Sequence, residues 1–318
     1  MSGHGGSWIP APLHPQARAL VTAAAAQTAP ATLAERRADY AETARRLGGD
    51  AEAVADVADL EVPGPDGPIP ARAWRPAAAL DADDAPAVLW LHGGGWVMGD
   101  LDGIDRVCRA LANAAGAVVD AADYRLAPEH PFPAAVRDAD AAVAWLRGSG
   151  AQALGADPRR LVVGGDSAGA NLATVAALHA PGAAAAQLLV YPAVDAAGDT
   201  PSWRAAVDNP VLSADAMREM WRLYLGGGDP LAPDASPLRA ELAGAPPALV
   251  AVAGHDPLHD EGVAYARALR RAGVEAELLE YDDMPHGFLR WAGRVDRARE
   301  LVAQLGGFVR RHAGDATG

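Results

Sequence analysis

The sequence predicts an α/β fold: a mostly parallel central sheet, helices on both faces, and a helical cap over the sheet's C-terminal edge. Three observations lead there. From Ala87 onward, short apolar runs alternate with helix-length segments, a rhythm that gives parallel strands joined by crossover helices. The apolar run Leu161-Val162-Val163 passes directly into Gly165-Asp166-Ser167-Ala168-Gly169, which reads as a strand turning sharply into a helix. Residues 192–245 break the alternation with Pro, Gly and Asp, as an insertion above the sheet would.

Taken in order, two Ala-rich helical patterns open the chain near residues 12–27 and 31–47, and Gly48-Gly49 stops the second. A strand pair at 54–62 and 69–75 follows, joined by the turn signal Gly64-Pro65-Asp66-Gly67. Its antiparallel pairing places it at one edge of the sheet. A strand over 87–91 ends in His92-Gly93-Gly94-Gly95-Trp96. Helices near 103–114 and 132–147 then alternate with a strand near 117–123. Strand 160–164 and helix 168–179 flank Ser167, and strand 187–191 follows. Strand 247–253, helix 260–272, strand 276–281 and a final helix near 293–312 complete the pattern. The division expected is residues 1–50 as N-terminal cap helices and 51–318 as the catalytic domain, with 192–245 adding to the cap over the edge where α/β sheets bind ligands.

Composition narrows the chemistry. The 318 residues are 50% apolar and 21% charged, ordinary for a globular protein with a sizeable core. A net charge of −14 argues against nucleic acid or an anionic membrane as partner. All 27 basic residues are arginine. Without lysine there is no Walker A phosphate site, no Schiff base and no Ser-x-x-Lys chemistry. Cys108 is the only cysteine, which rules out an intrachain disulfide and a cysteine metal site and suits a small core residue. Met1 to Pro10 lacks the basic start and apolar core of a secretory signal. No stretch approaches the roughly 20 apolar residues that span a bilayer, so a cytoplasmic location is expected.

The glycines around Ser167 allow a strained turn that exposes its hydroxyl above the sheet, a nucleophile elbow. A serine hydroxyl attacks poorly until a histidine takes its proton and a carboxylate orients that histidine. With the order serine, acid, histidine, the candidates beyond the cap are His255, His259, His286 and His312. His286 lies in Asp283-Met284-Pro285-His286-Gly287-Phe288, a fixed loop between the last strand and last helix. The acid should leave the preceding strand's C-terminal end, where Val250–Ala253 runs into Gly254-His255-Asp256-Pro257. Asp256 is the candidate, ahead of Asp260, Asp282 and Asp283. A helix N-cap before Pro257 is its competing role. The pair His255 and His259 has i, i+4 metal-ligand spacing, but Pro257 and the strand exit favour a loop, so no metal is expected.

Developing negative charge on the attacked carbonyl needs preorganised donors. Ala168 N–H follows the serine at a helix start, and Gly93 and Gly94 offer backbone N–H groups without side chains in the way. His92, Gly95 and Asp166 are read as supports, with Gly95 also left open as a further donor. Met217, Met220, Trp221 and Tyr224 near the middle of the insertion, together with Trp96, either line a substrate pocket or form the cap's own core.

At this point the chain resembles the hormone-sensitive lipase family of α/β-hydrolases, specifically its microbial GDSAG esterases. The residues that carry the resemblance are His92–Trp96, Asp123-Tyr124-Arg125-Leu126-Ala127-Pro128-Glu129, Gly165–Gly169, Asp256-Pro257-Leu258-His259-Asp260-Glu261 and Pro285-His286-Gly287-Phe288. The resemblance implies hydrolysis of short- to medium-chain carboxylic esters, with Ser167, Asp256 and His286 as the triad and the glycine run with Ala168 as the oxyanion hole. It implies that Tyr124 to Glu129 brace the oxyanion loop. His259 departs from the arginine that relatives often carry. The expected partner is a small ester; no cofactor is implied, and a homodimer is left open, as is amide in place of ester cleavage. A hydrolase-like receptor for a small apolar ligand is the non-enzymatic alternative, disfavoured by the presence of His286.

Overall fold

The computed structural model describes residues 10–26, 30–80, 82 and 84–314. The end of the first expected helix, residue 27, and the stretch 1–9 lie outside the described residues. Two helices open the chain, α1 (Pro15–Ala25) and α2 (Leu33–Gly48). Thr32 caps α2: its side chain accepts from Glu35 N–H, and the Glu35 carboxylate accepts from Thr32 N–H, a reciprocal capping box. Gly49, at φ 77°, ends it.

Eight strands form one sheet: β1 (Asp56–Gly64), β2 (Gly67–Arg75), β3 (Ala85–Leu91), β4 (Val118–Ala122), β5 (Ala156–Asp166), β6 (Ala186–Val190), β7 (Ala248–His255) and β8 (Ala276–Pro285). Their spatial order is β1-β2-β4-β3-β5-β6-β7-β8. β2 is antiparallel to both neighbours, and all later pairs are parallel. The edge hairpin closes where Gly64 pairs with Gly67, leaving Pro65-Asp66 as its two-residue loop.

The crossover helices are α3 (Leu101–Ala115), α4 (Ala134–Leu146), α6 (Ala168–His179) and α9 (His259–Arg271), and α10 (Asp296–Ala313) follows the last strand. α3 and α10 pack on one face through Leu111, Cys108, Leu301 and Phe308. α4, α6 and α9 cover the other through Ala139, Leu172 and Leu269. Sandwiched between, β3, β4 and β6 are buried along their whole length, which explains why they read as continuous apolar runs. Three helices stand outside that plan: the short α5 (Ser149–Ala153) and α7 (Pro201–Ala205), and α8 (Ala214–Leu225) within the insertion. At five residues, α5 and α7 are too short to show periodicity. β5 starts earlier than expected, because Ala156 pairs with Ala85 across an irregular register. Among the described residues no helix is long and apolar enough to cross a membrane.

Two residues of these buried strands break the apolar rule, Gln187 in β6 and Asp120 in β4. Asp120, in mid-β4, is fully buried and neither carboxyl oxygen meets a hydrogen-bond partner. Burial pushes its pKa up to about 7, because an unpaired charge in a dry sheet is costly.

Candidate active site

Each residue of the candidate triad follows the C-terminal end of a parallel strand. β5 ends at Asp166 and α6 begins at Ala168; Ser167 between them has φ 57° and ψ −118°. That conformation costs a non-glycine residue about 1–3 kcal/mol and persists only where its surroundings impose it. Here Ser167 N–H donates to Val190 O at 2.8 Å, and Asn171 N–H to Ser167 O at 3.1 Å. The flanking glycines serve a close approach. A Cβ on Gly165 would run into Leu91 O and the Gly169 backbone, and one on Gly169 into Leu91 O and His92 O. Their absence lets the start of α6 abut the end of β3, bringing the serine beside the glycine loop.

The Asp256 carboxylate is buried and its Oδ2 lies 2.6 Å from His286 Nδ1. His286 Nε2 lies 2.9 Å from Ser167 Oγ. Asp256 Oδ1 meanwhile accepts from Leu258 N–H at 2.8 Å. Asp256 thus partners the histidine with one oxygen and closes a turn with the other, but it is not the helix N-cap, a position held by Leu258 ahead of α9. His286 follows β8 directly, and Tyr191, at the end of β6, lays its ring 4.6 Å from the imidazole with φ 37°. Nothing in an apolar strand end signals Tyr191 in the sequence. His255 Nε2 pairs with Ala11 O, while His259 Nδ1 pairs with Asp260, so the i, i+4 histidines do not converge. His259, Glu280 and Asp282 do bring ligand atoms within 4.8 Å of one another, apart from the triad.

Behind the triad, Glu261 on α9 is buried and accepts from Val194 N–H, Asp195 N–H and Trp203 Nε1–H at 2.8, 3.3 and 2.8 Å. Burial pushes its pKa up to about 8 against the pull of those donors. These bonds tie α9, and with it the Asp256 turn, to the segment after β6.

The glycine loop departs from expectation at one position. Gly93 N–H donates to Asp166 Oδ1 at 2.9 Å, so its proton is spent on the elbow's own carboxylate. A Cβ there would also press on Asp166 Oδ2. Gly94 and Gly95 instead border the cavity with Ser167, and their N–H groups meet no acceptor among the described residues. Gly94 and Gly95, not Gly93, thus keep N–H groups open beside Ser167. The loop is braced on every side. Val97 and Met98 N–H donate to Gly94 O, and Ala127 N–H to Trp96 O. Tyr124 Oη donates to His92 O at 2.7 Å and stacks on the His92 ring. Arg37 of α2 reaches across with Nε to Val97 O at 2.8 Å, Nη2 to Ala127 O at 3.1 Å, and both Nη atoms to Glu129 at 2.8 and 2.7 Å. The sequence gives no hint of Arg37, an arginine on an exposed Ala-rich helix.

Ser167 and His286 open onto a cavity of about 600 Å³. Its apolar wall comes from Leu20 and Val21 of α1, Leu212, and Met217 and Met220 of α8. Of the proposed pocket residues, Met217 and Met220 reach the cavity; Trp96, Trp221 and Tyr224 do not. These three are buried and pack on one another, Trp96 stacked 4.3 Å from Tyr224 and tilted against Trp221 at 4.2 Å. Positions 217, 221 and 224 share one helical face. That face plunges into the core, so only its first turns border open space. Arg290, four residues beyond His286, also borders the cavity and was not singled out in the sequence.

A family model described as alpha/beta hydrolase fold matches residues 88–290. The chain is 46% identical over 254 residues to the esterase LipI of Mycobacterium tuberculosis, covering 77% of this chain and 79% of that protein. A hyperthermophilic esterase from the archaeon Pyrobaculum calidifontis superposes with a TM-score of 0.89 at 39% identity, over 96% of this chain and 100% of that one. An esterase from the bacterial hormone-sensitive lipase family matches with a TM-score of 0.84 at 33% identity, over 95% and 99% of the two chains. The chain belongs to the α/β-hydrolase family, in its hormone-sensitive lipase branch.

Proposed function

We propose that this carboxylic ester hydrolase cleaves short- to medium-chain acyl esters through an acyl-enzyme on Ser167. The observation that carries the reading is the unbroken line Asp256–His286–Ser167, at 2.6 and 2.9 Å, ending at a largely apolar cavity. With Nδ1–H held by Asp256, the imidazole presents a bare Nε2 to the serine hydroxyl. Ser167 Oγ attacks the ester carbonyl as Nε2 takes its proton, and Asp256 stabilises the imidazolium. The oxyanion is received by the N–H groups of Ala168, Gly94 and Gly95. Each such donor is worth about 3 kcal/mol in the transition state, and the N-terminus of α6 adds its dipole. His286 then protonates the departing alcohol and activates the water that releases the acid. The reaction so written calls on no cofactor. We read residues 10–26 and 30–50, with 192–245, as the cap, whose α1 and α8 side chains bound the acyl-binding wall.

The test is a panel of nitrophenyl esters of increasing chain length, with an anilide control. Wild-type enzyme should favour short to medium esters, and Ser167→Ala should lose turnover with its thermal melt intact. Retained hydrolysis in that variant sinks the assignment. A fluorophosphonate should label the wild-type serine; a folded protein that neither reacts nor hydrolyses any ester would be a receptor instead.

A further inference from the structure

Of the charged residues that border the catalytic cavity, Asp39 and Arg46 are exposed, whereas the Arg290 side chain is only 16% exposed. Arg290 sits in the short 3-10 turn Phe288–Trp291 that follows the His286 loop. Its guanidinium lies over the Tyr40 ring of α2, 3.9 Å from the centroid. The Asp166 carboxylate is 4.0 Å from Nε, too far for a hydrogen bond, and the other oxygen of Asp166 already accepts from Gly93 N–H. A Cβ placed on Gly287 would stand 3.7 Å from an Arg290 Nη, so the fork lies against the loop that carries His286. Nε is buried without an acceptor, and among the described residues nothing accepts a hydrogen bond from this guanidinium.

A guanidinium carries five N–H donors in a flat fork. Asp166 balances its charge and Tyr40 covers its face, but neither satisfies a donor. A largely buried cation with open donors beside a reaction centre wants a planar, charged acceptor, and carboxylate matches that fork with two parallel bonds. The protein's net charge of −14 disfavours anionic substrates at long range. Any preference for them therefore reports a local group.

We propose that Arg290 is a specificity-determining residue that binds a carboxylate on the substrate, so that monoesters of dicarboxylic acids are preferred over neutral esters of the same length. This rests on the reading of Ser167 as the esterase nucleophile. The scissile carbonyl would sit at Ser167 while the free carboxylate at the far end of the acyl chain pairs with Arg290.

The test compares monoethyl esters of pentanedioic, hexanedioic and octanedioic acids with ethyl pentanoate, hexanoate and octanoate, followed by pH-stat in wild type, Arg290→Met and Arg290→Lys. Wild type should favour the monoacid ester at one or more lengths, chiefly through KM, and the preference should shrink with added salt. Arg290→Met should lower the ratio of the two kcat/KM values roughly 10- to 100-fold, the range of a charge-assisted hydrogen bond. Arg290→Lys, which keeps charge but loses the fork, should fall in between, and serves alone if the methionine variant does not fold. The proposal is overturned if wild type shows no preference at any length, or if Arg290→Met lowers both series equally, which would make the residue a structural clamp between Tyr40 and Asp166. Inactivity of wild type on both series, with no fluorophosphonate label on Ser167, would instead overturn the esterase reading beneath it.

Discussion

Replacing Asp120 with asparagine should remove a pH-dependent strain from the centre of the sheet. Asp120 pairs with Ala73 of β2 and Leu89 of β3, is fully buried, and has no partner for either oxygen. Its pKa stands at about 7 against an ordinary 3.8. The sign follows from proton counts. Between those two values the unfolded chain has released the proton and the folded chain still holds it, so stability falls as pH rises through that window. Above the folded value both states are ionised and the loss levels off. At 1.36 kcal/mol per unit, the full loss is roughly 4 kcal/mol. Asparagine keeps the shape and has no charge to bury. Urea unfolding of wild type and Asp120→Asn from about pH 4.5 to pH 8 measures this directly. About 1 kcal/mol of that loss has already accrued by pH 4.5, so the variant's lead over wild type should widen by roughly 3 kcal/mol between the acid and alkaline ends. Other groups titrate alike in both proteins and cancel in the difference. Parallel profiles, or a wild type that gains on the variant with rising pH, would refute the reasoning.

Three further expectations concern the site's supports. Arg37→Ala should free the oxyanion loop from α2 and lower kcat on a butyrate ester roughly 10- to 100-fold; because the arginine is 32% exposed, its thermal melt should move far less. Glu261→Gln sets an NH₂ against a donor N–H at a buried site and should cost roughly 1–3 kcal/mol, read from denaturant unfolding. Trp221→Ala empties part of the stack with Trp96 and Tyr224 and should cost about 3–5 kcal/mol. Since Trp221 does not border the cavity, its chain-length preference in a nitrophenyl panel should match wild type.

The alternation of strands and helices, the antiparallel edge pair and the loop positions of Ser167, Asp256 and His286 were legible because each is announced by local chemistry: an apolar run, a glycine that permits a tight turn, a proline that ends a strand; the spatial order of the strands was not. The donors of the glycine loop were legible only as a group. Which N–H stays open depends on where the Asp166 side chain turns, and that is decided across β3 and β5 rather than within His92–Gly95. Trp96, Trp221 and Tyr224 carry the same apolar signal whether they face a cavity or each other, so spacing alone could not separate wall from core. Arg37, Arg290 and Tyr191 were invisible for a different reason. Their partners lie many residues away, and an arginine on a helix or a tyrosine at a strand end looks ordinary until the chain folds around it.

The most direct measurement is mass spectrometry of enzyme quenched during turnover of a nitrophenyl butyrate. The account requires one butyryl group on the peptide that contains Ser167, absent from Ser167→Ala. A butyryl group on any other residue, or rapid turnover with Ser167 never acylated, would contradict it.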